Sequence, residues 1–267
     1  MLRKIPCTTL IVSLLLLASG LFAQAQSVKW LRDIPLEYGE KLAAIDKYGS
    51  VYTFMGSVVT KRDSIRKYVY QNTGMGAPQN IELQNPLKPL LFYPNFNAAV
   101  ILDNLFNEIE TLSFQQLAPN LVASAVFTAA QNNLWICNET DQKIYRYELQ
   151  SRKLQPLTQN LRLNATWFAA DLNFLYWNDA ENYLWKLNFF GNISSDLAIP
   201  PFEQLQLLEN YGIIYSFDGK IFTLDYKNKQ IKKLELPINN FQSFAVKGQF
   251  LAIFTDSQIK VYYLNIP

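Results

Sequence analysis

The sequence predicts an all-β chain folded as a six-bladed β-propeller. Three observations predict it. The strongly apolar runs Val51–Phe54, Leu90–Tyr93, Leu134–Cys137, Leu175–Trp177, Ile213–Tyr215 and Leu251–Phe254 begin 39, 44, 41, 38 and 38 residues apart, and a period near ~40 is that of a propeller blade. Most of them lead through a polar turn into a second, alternating run, as in Asn132–Leu149 (NNLWICNETDQKIYRYEL), the signature of a β-hairpin. The last unit is one strand short, while Val28–Ile34 alternates apolar and polar residues with no hairpin partner beside it. Joining the two closes a ring and hides edges that would otherwise pair with other chains. Two stacked β-sandwich domains, the rival arrangement, leave that missing strand unexplained.

Composition agrees. Of 267 residues 49% are hydrophobic, and 15 Tyr, 18 Phe and 5 Trp accompany a charged fraction of 17%, below the roughly 25% usual in soluble proteins. That mixture suits half-buried strands and opposes disorder.

The N-terminus reads as a targeting segment. Arg3 and Lys4 precede the apolar stretch Ile11–Phe22, and Ala23-Gln24-Ala25 forms a small-x-small cleavage site. The expectation is a signal peptide over 1–25, a single propeller domain over 26–267, and export to the periplasm or beyond. The apolar stretch is short for a membrane span, so no transmembrane segment is expected after cleavage; an uncleaved anchor is the alternative. Cys7 lacks the flanking pattern of a lipoprotein acceptor. Cleavage removes Arg3 and Lys4 and no acid, so 24 basic residues become 22 against 22 acidic. A neutral chain has no global attraction to nucleic acid or anionic lipid. Cys137 then stands alone in the LWIC run, most simply as a small buried hydrophobe.

The elements follow in order. After Val28–Ile34 a loop covers 35–40 and the first apolar run opens at Val51. In the second unit Ala99–Asp103 falls one strand after Leu90–Tyr93. Unit three has strands at Leu121–Ala129, Leu134–Cys137, Lys143–Leu149 and Leu154–Leu157; unit four at Ala165–Ala170, Phe174–Trp177, Tyr183–Asn188 and Ser195–Ile199. Unit five has Leu205–Leu208, Ile213–Phe217, Lys220–Tyr226 and Ile231–Leu236, and unit six Phe241–Val246, Leu251–Phe254 and Gln258–Leu264.

The x-G-x-[IV]-Y pattern of Tyr48–Tyr52 and Tyr211–Tyr215, followed by strands such as Ile144–Tyr147, resembles the blades of NHL and TolB-like six-bladed propellers. Asn85–Tyr93, with Leu102-Asp103-Asn104, is similar to an uncharacterised group of exported bacterial propellers. The resemblance covers the mature chain and implies a fold, with no activity to carry over. It also makes the Asn-x-Ser/Thr sequons at Asn138, Asn164 and Asn192 incidental.

Histidine is absent, which removes Ser-His-Asp and Cys-His nucleophiles, His-ligated metals and the usual base near neutral pH. No C-x-x-C exists. Gly74-Met75-Gly76 opens like a dinucleotide loop, but Gln79 stands where the third Gly belongs; it reads as a loop between blades. Ser216–Gly219 opens like the Asp-box of sialidases, yet Lys220 follows and an Asp-Gly turn explains it.

In propellers of the resembled type, turns between second and third strands share a face with the loops entering each blade. That face collects Asn138, Glu139, Asp141, Asn178, Asp179, Glu181, Asp218 and Asp256, with Asn182 beside them and no Lys or Arg in the turns themselves. They are the candidate ligand-binding residues, for a cation, a cationic peptide or a sugar; hairpin turns also prefer these residue types for their own sake. No D-x-[DN]-x-[DN]-G calcium loop occurs, and no metal or cofactor is expected. The opposite face is expected to be basic, with Lys47, Lys88, Arg152, Lys153, Lys227, Lys229 and Lys247, and with Lys61, Arg62 and Arg66 near the blade-one turn. Lys227, Lys229 and Phe190 are the candidate partner contacts there. No catalytic residue is assigned. The functional expectation is a monomeric binding or assembly module for a protein or glycan of the cell envelope. The alternative is a histidine-free, carboxylate-based enzyme acting on a carbohydrate, needing paired carboxylates.

Overall fold

A computed structural model describes residues 27–161, 165–238 and 240–265. The expected signal peptide, Cys7 and the sequon at Asn164 lie outside the described residues. The chain opens with β1 (Ser27–Pro35). Blade 1 is β2 (Lys41–Ile45), β3 (Val51–Met55), β4 (Val58–Arg62) and β5 (Lys67–Gln71). Blade 2 is β6 (Asn80–Glu82), β7 (Leu90–Tyr93), β8 (Ala98–Leu102) and β9 (Glu108–Ser113). Blade 3 is β10 (Ala123–Ala129), β11 (Asn133–Asn138), β12 (Lys143–Glu148) and β13 (Lys153–Pro156). Blade 4 is β14 (Phe168–Ala170), β15 (Phe174–Asn178), β16 (Tyr183–Asn188) and β17 (Ile193–Ala198). Blade 5 is β18 (Gln204–Leu208), β19 (Gly212–Phe217), β20 (Lys220–Asp225) and β21 (Ile231–Lys233). Blade 6 is β22 (Ser243–Lys247), β23 (Phe250–Phe254) and β24 (Gln258–Asn265), and β1 completes it as the outer strand.

All six sheets are four-stranded and antiparallel, and every expected apolar run is the second strand of its blade. The β1–β24 register runs from Ser27↔Asn265 to Pro35↔Gln258, so the ring closes as expected. One ring, and not two sandwiches, accounts for the described chain.

Strand alternation builds the core. In β11, Leu134 and Ile136 pack toward blade 2 with Leu90, Phe92 and Phe114. Trp135 and Cys137, on the other side, pack toward blade 4 with Leu175 and Leu187. The same division recurs at every interface, giving a separate apolar cluster between each pair of neighbouring blades, including blade 6 with blade 1 through Ile34, Ala252, Ile45 and Val51. At that seam Arg32 on β1 donates to the Gly49 carbonyl at 2.7 Å.

The differences from the expected strands lie at strand ends and in connectors. The inner strand of blade 4 starts only at Phe168, because Asn178 Oδ1 takes the amides of Thr166 and Trp167 and bends the approach. The outer strand of blade 5 stops at Lys233. A single helical turn, α1 (Phe114–Leu117), sits in the blade 2–3 connector and buries Phe114.

Candidate functional site

Antiparallel order sets two faces. Second-to-third turns and inter-blade connectors lie on one, here the upper face; first-to-second and third-to-fourth turns lie on the lower.

The candidate Asn and Asp residues on the upper face are held within their own blades. Asn138 is buried; its Oδ1 accepts the amides of Val122 and Thr140, and its Nδ2 donates to Asn120 O and to Asp141 Oδ1 at 2.7 Å. Asp141 also accepts from the Lys143 amide and the Tyr145 hydroxyl, the latter at 2.5 Å. Asn178 is buried in the same role in blade 4 and donates to Thr166 Oγ1. Asp179 accepts the amides of Glu181 and Tyr183 and the Trp185 indole N–H at 2.7 Å. Partial burial works to raise both carboxyls, but these hydrogen bonds outweigh it and hold Asp141 and Asp179 below the usual carboxylate range. Asp218 sits in a left-handed turn (φ 49°) and is largely exposed. Asp256 accepts from Gln242 Nε2 at 2.9 Å, and Glu139 and Glu181 point to solvent.

Two cations adjoin these turns. Lys143 Nζ lies 3.5 Å from Asp141 and Lys220 Nζ 3.5 Å from Asp218, each from the first residue of the next strand. On the same face, Phe96, Tyr183 and Phe217 are about half exposed.

The lower face is not the uniformly basic one expected. Asp46, Asp63, Asp103, Asp171 and Asp225 open its turns, accepting amides two to four residues on. Turn chemistry draws Asp to that position on either face. Lys61 and Arg62 are not face charges either: Lys61 is buried over the Tyr68 ring, its Nζ reaching the Asn104 carbonyl at 3.2 Å, and Arg62 pairs with Glu40. Lys227 and Lys229 lie in the blade 5 outer turn, Lys229 with a left-handed backbone. Phe189 and Phe190 divide as the sequence suggests. Phe189 packs edge-on to Trp135 under the Arg146 guanidinium, and Phe190 is 83% exposed.

A constellation missed by the sequence reading lies on the propeller axis. The inner strands line a partly open cavity of about 210 Å³, bounded by Ala43, Ala44, Ala169, Ala170 and Ala245 and by larger apolar chains such as Ile81, Phe127 and Leu205, with Trp167 and Phe168 toward one end and Glu82, Glu209 and Lys247 toward the other. Lys247 Nζ of blade 6 lies 2.7 Å from Glu209 Oε1 of blade 5 and bonds Gln84 of blade 2, while Gln84 Nε2 reaches Glu209 at 3.3 Å. Blades 2 and 5 stand opposite in a ring of six, so this tie crosses the axis. Glu82 accepts the Gln84 amide at 2.6 Å, with the Leu83 amide also acting on it. Burial, with the charge of Glu209 adding, pushes the Glu82 carboxyl up against the opposing pull of Lys247. Burial also acts on Glu209, but the Lys247 hydrogen bond and charge outweigh it and hold that carboxyl down. The signal in the sequence was a Glu between Ile81 and Leu83. It went unread because the short inner strand of blade 2 was not assigned.

Among the described residues no group of three or more carboxylate or thiol ligands gathers as a metal would need, and no helix is long and apolar enough to cross a membrane.

No family model and no curated protein matches the chain. Solved structures do. The chain is similar to a streptogramin B lyase at TM-score 0.59 and 12% identity, over 90% of this chain and 98% of that one. It is similar to a catalytically inactive histidine-to-alanine variant of virginiamycin B lyase from Staphylococcus aureus with quinupristin, at TM-score 0.58 and 11% identity, over 90% of this chain and 100% of that one. It is also similar to BBS1N in complex with ARL6DN, at TM-score 0.52 and 13% identity, over 84% and 78% of the two chains. Likeness at this identity establishes the propeller fold; none of these three is described as an NHL or TolB protein.

Proposed function

We propose that this chain is an exported, non-catalytic propeller that holds a protein or glycan of the cell envelope on its upper face. One observation carries the reading: the upper turns present half-exposed Tyr183 and Phe217 close in sequence to solvent-facing Glu181 and Asp218, with exposed Glu139 on the same face. Aromatic contact area next to acceptors is what a protein or sugar surface engages. A general acid must hold a proton near neutral pH, and Asp141 and Asp179 are held charged. The chain also has no histidine, the residue type replaced in the inactive lyase neighbour. That BBS1N was solved in complex with another protein makes partner binding a reasonable use of the fold.

The test is capture from the host's own envelope fraction with the mature protein and a variant carrying Glu139→Gln, Glu181→Gln, Asp218→Asn, Tyr183→Ala and Phe217→Ala. These positions avoid the bonded Asp141 and Asp179, so the fold should persist by circular dichroism. Loss of a ligand that the parent retains supports the reading; equal capture by both ends it.

A second reading, a carboxylate enzyme acting on a carbohydrate, is favoured by one observation only. Glu82 and Glu209 beside Lys247 have carboxyls pushed in opposite directions, the division a carboxylic acid and its partner carboxylate need. Turnover of envelope glycans that disappears in Glu82→Gln would establish it.

A further inference from the structure

Alanines form part of the wall of the axial cavity, between larger apolar side chains such as Ile81, Phe127 and Leu205. The inner strands place Ala43, Ala44, Ala169, Ala170 and Ala245 on its wall, so about 210 Å³ stays unfilled in a ring whose blade interfaces are otherwise packed. At its polar end the cations are on Glu209: Lys247 is committed to Glu209 and Gln84, and Lys47 acts on Glu209 as well. Glu82 has the Gln84 amide and no ion pair of its own among the described residues. Two residues earlier on the same face of β6, the buried Asn80 Oδ1 has no hydrogen-bond partner.

We propose that the axial cavity binds a small organic ammonium, its charged head on Glu82 and its aliphatic body against the alanine wall. Charge balance and shape both favour it: a cation neutralises the second carboxylate, and an apolar wall rewards a hydrocarbon body over a bare ion. The site is separate from the upper-face turns and stands whether or not they bind a ligand.

The ligand competes with a proton. The groups facing Glu82 are Lys247 and Glu209, with Lys47 acting on Glu209 from blade 1. Because the Glu82 carboxyl is pushed up, binding strengthens as pH rises through its pKa and levels off above it, with a proton released on binding.

Titration calorimetry of the mature protein with n-butylammonium chloride, in two buffers of different ionisation enthalpy, tests this. The expected result is a saturable single-site heat that depends on the buffer, with n-butanol and potassium chloride giving none. Glu82→Gln should weaken binding roughly ten- to a hundredfold, the loss of a charged hydrogen-bond partner. Ala245→Leu, which fills the cavity, should abolish it, and serves alone if Glu82→Gln does not fold. Asp218→Asn, on the upper face, should leave it unchanged. No saturable heat up to about 10 mM, the weak end of small-ligand affinity, overturns the proposal. So does binding that survives both cavity variants, equal binding of n-butanol, or loss in Asp218→Asn.

Discussion

Arg62 places its Nη1 2.5 Å from Glu40 Oε1, and its Nη2 3.0 Å from Glu40 Oε2, in the connector that carries the chain from the closing strand into blade 1. Thr53 Oγ1 donates to the same carboxylate. The Glu40 side chain is 4% exposed and that of Arg62 15%, so the pair is removed from water and joined by two parallel bonds. Removing one partner strands the other. Arg62→Ala is expected to cost about 3 kcal/mol, read from urea unfolding. Arg62→Lys should recover only part, because an ammonium cannot make the two-pronged contact. A loss below about 1 kcal/mol in Arg62→Ala would mean that water reaches Glu40.

The same pair sets an acid dependence. Burial works to raise the Glu40 carboxyl, but the Arg62 and Thr53 hydrogen bonds outweigh it, and its pKa lies below the ordinary 4.5. A depressed folded pKa contributes stability that is fully present above the ordinary value and is lost as pH falls through the folded one. Wild-type stability should therefore drop between about pH 4.5 and the lower folded value, and Glu40→Gln should lose part of that slope while being less stable at pH 7. Parallel slopes for both proteins would place the acid sensitivity elsewhere.

Gly212 faces the carbonyl of Leu224 so closely that a Cβ would lie 1.8 Å from that oxygen. Gly212→Ala must push β19 and β20 apart at their Gly212↔Asp225 pair, and a loss above about 3 kcal/mol is expected. Gly49, at the matching place in blade 1, is glycine for a different reason. Its φ is +81° and a Cβ would lie 2.9 Å from the Phe250 ring. Gly49→Ala should therefore be partly rescued by Phe250→Leu, whereas no single side-chain change should rescue Gly212→Ala. Thermal melting of the four variants distinguishes the two causes.

These two glycines show what was legible. The x-G-x-[IV]-Y pattern marked where the second strands of blades 1 and 5 begin, because tight strand entry leaves a sequence trace. The apolar runs were legible as well: Leu134–Cys137 is wholly buried, and its alternate residues face different neighbouring blades. Charge placement was not. Asp46 and Asp171 sit on the face expected to be basic, because an Asp that caps its own turn is indifferent to which face the turn is on. Glu82 was hidden for another reason. Its meaning depends on Glu209 and Lys247, 127 and 165 positions away in sequence, and the ring alone brings them together.

Cys137 is fully buried between blades 3 and 4, and burial pushes its thiol well above the ordinary range. A protein beginning at Gln26, which lacks Cys7, should resist thiol reagents at pH 8 and react at one site after urea is added. Cys137→Ala should be mild, about 1 kcal/mol, and Cys137→Asp severe, because a carboxylate there has no partner. Fast labelling of the folded protein would show that the blade 3–4 interface opens.

Ring closure is the strongest demand the sequence makes, and β1 tests it. β1 covers the β24 edge over its whole length and buries Ile34 against Ala252 and Val51 at the blade 6–1 seam. Arg32 reaches the Gly49 carbonyl, and Asp33 accepts from Lys260 at 3.3 Å. A chain beginning at Leu36 keeps every other strand yet exposes the paired edge of Gln258–Asn265, whose Ile259, Val261, Tyr262 and Leu264 are buried. An uncovered apolar edge recruits other chains. The shortened protein should elute as aggregate on gel filtration. A synthetic peptide of residues 26–36, added during refolding, should restore monomer by supplying the strand in trans. A stable shortened monomer that ignores the peptide would mean that the blade interfaces alone hold the ring.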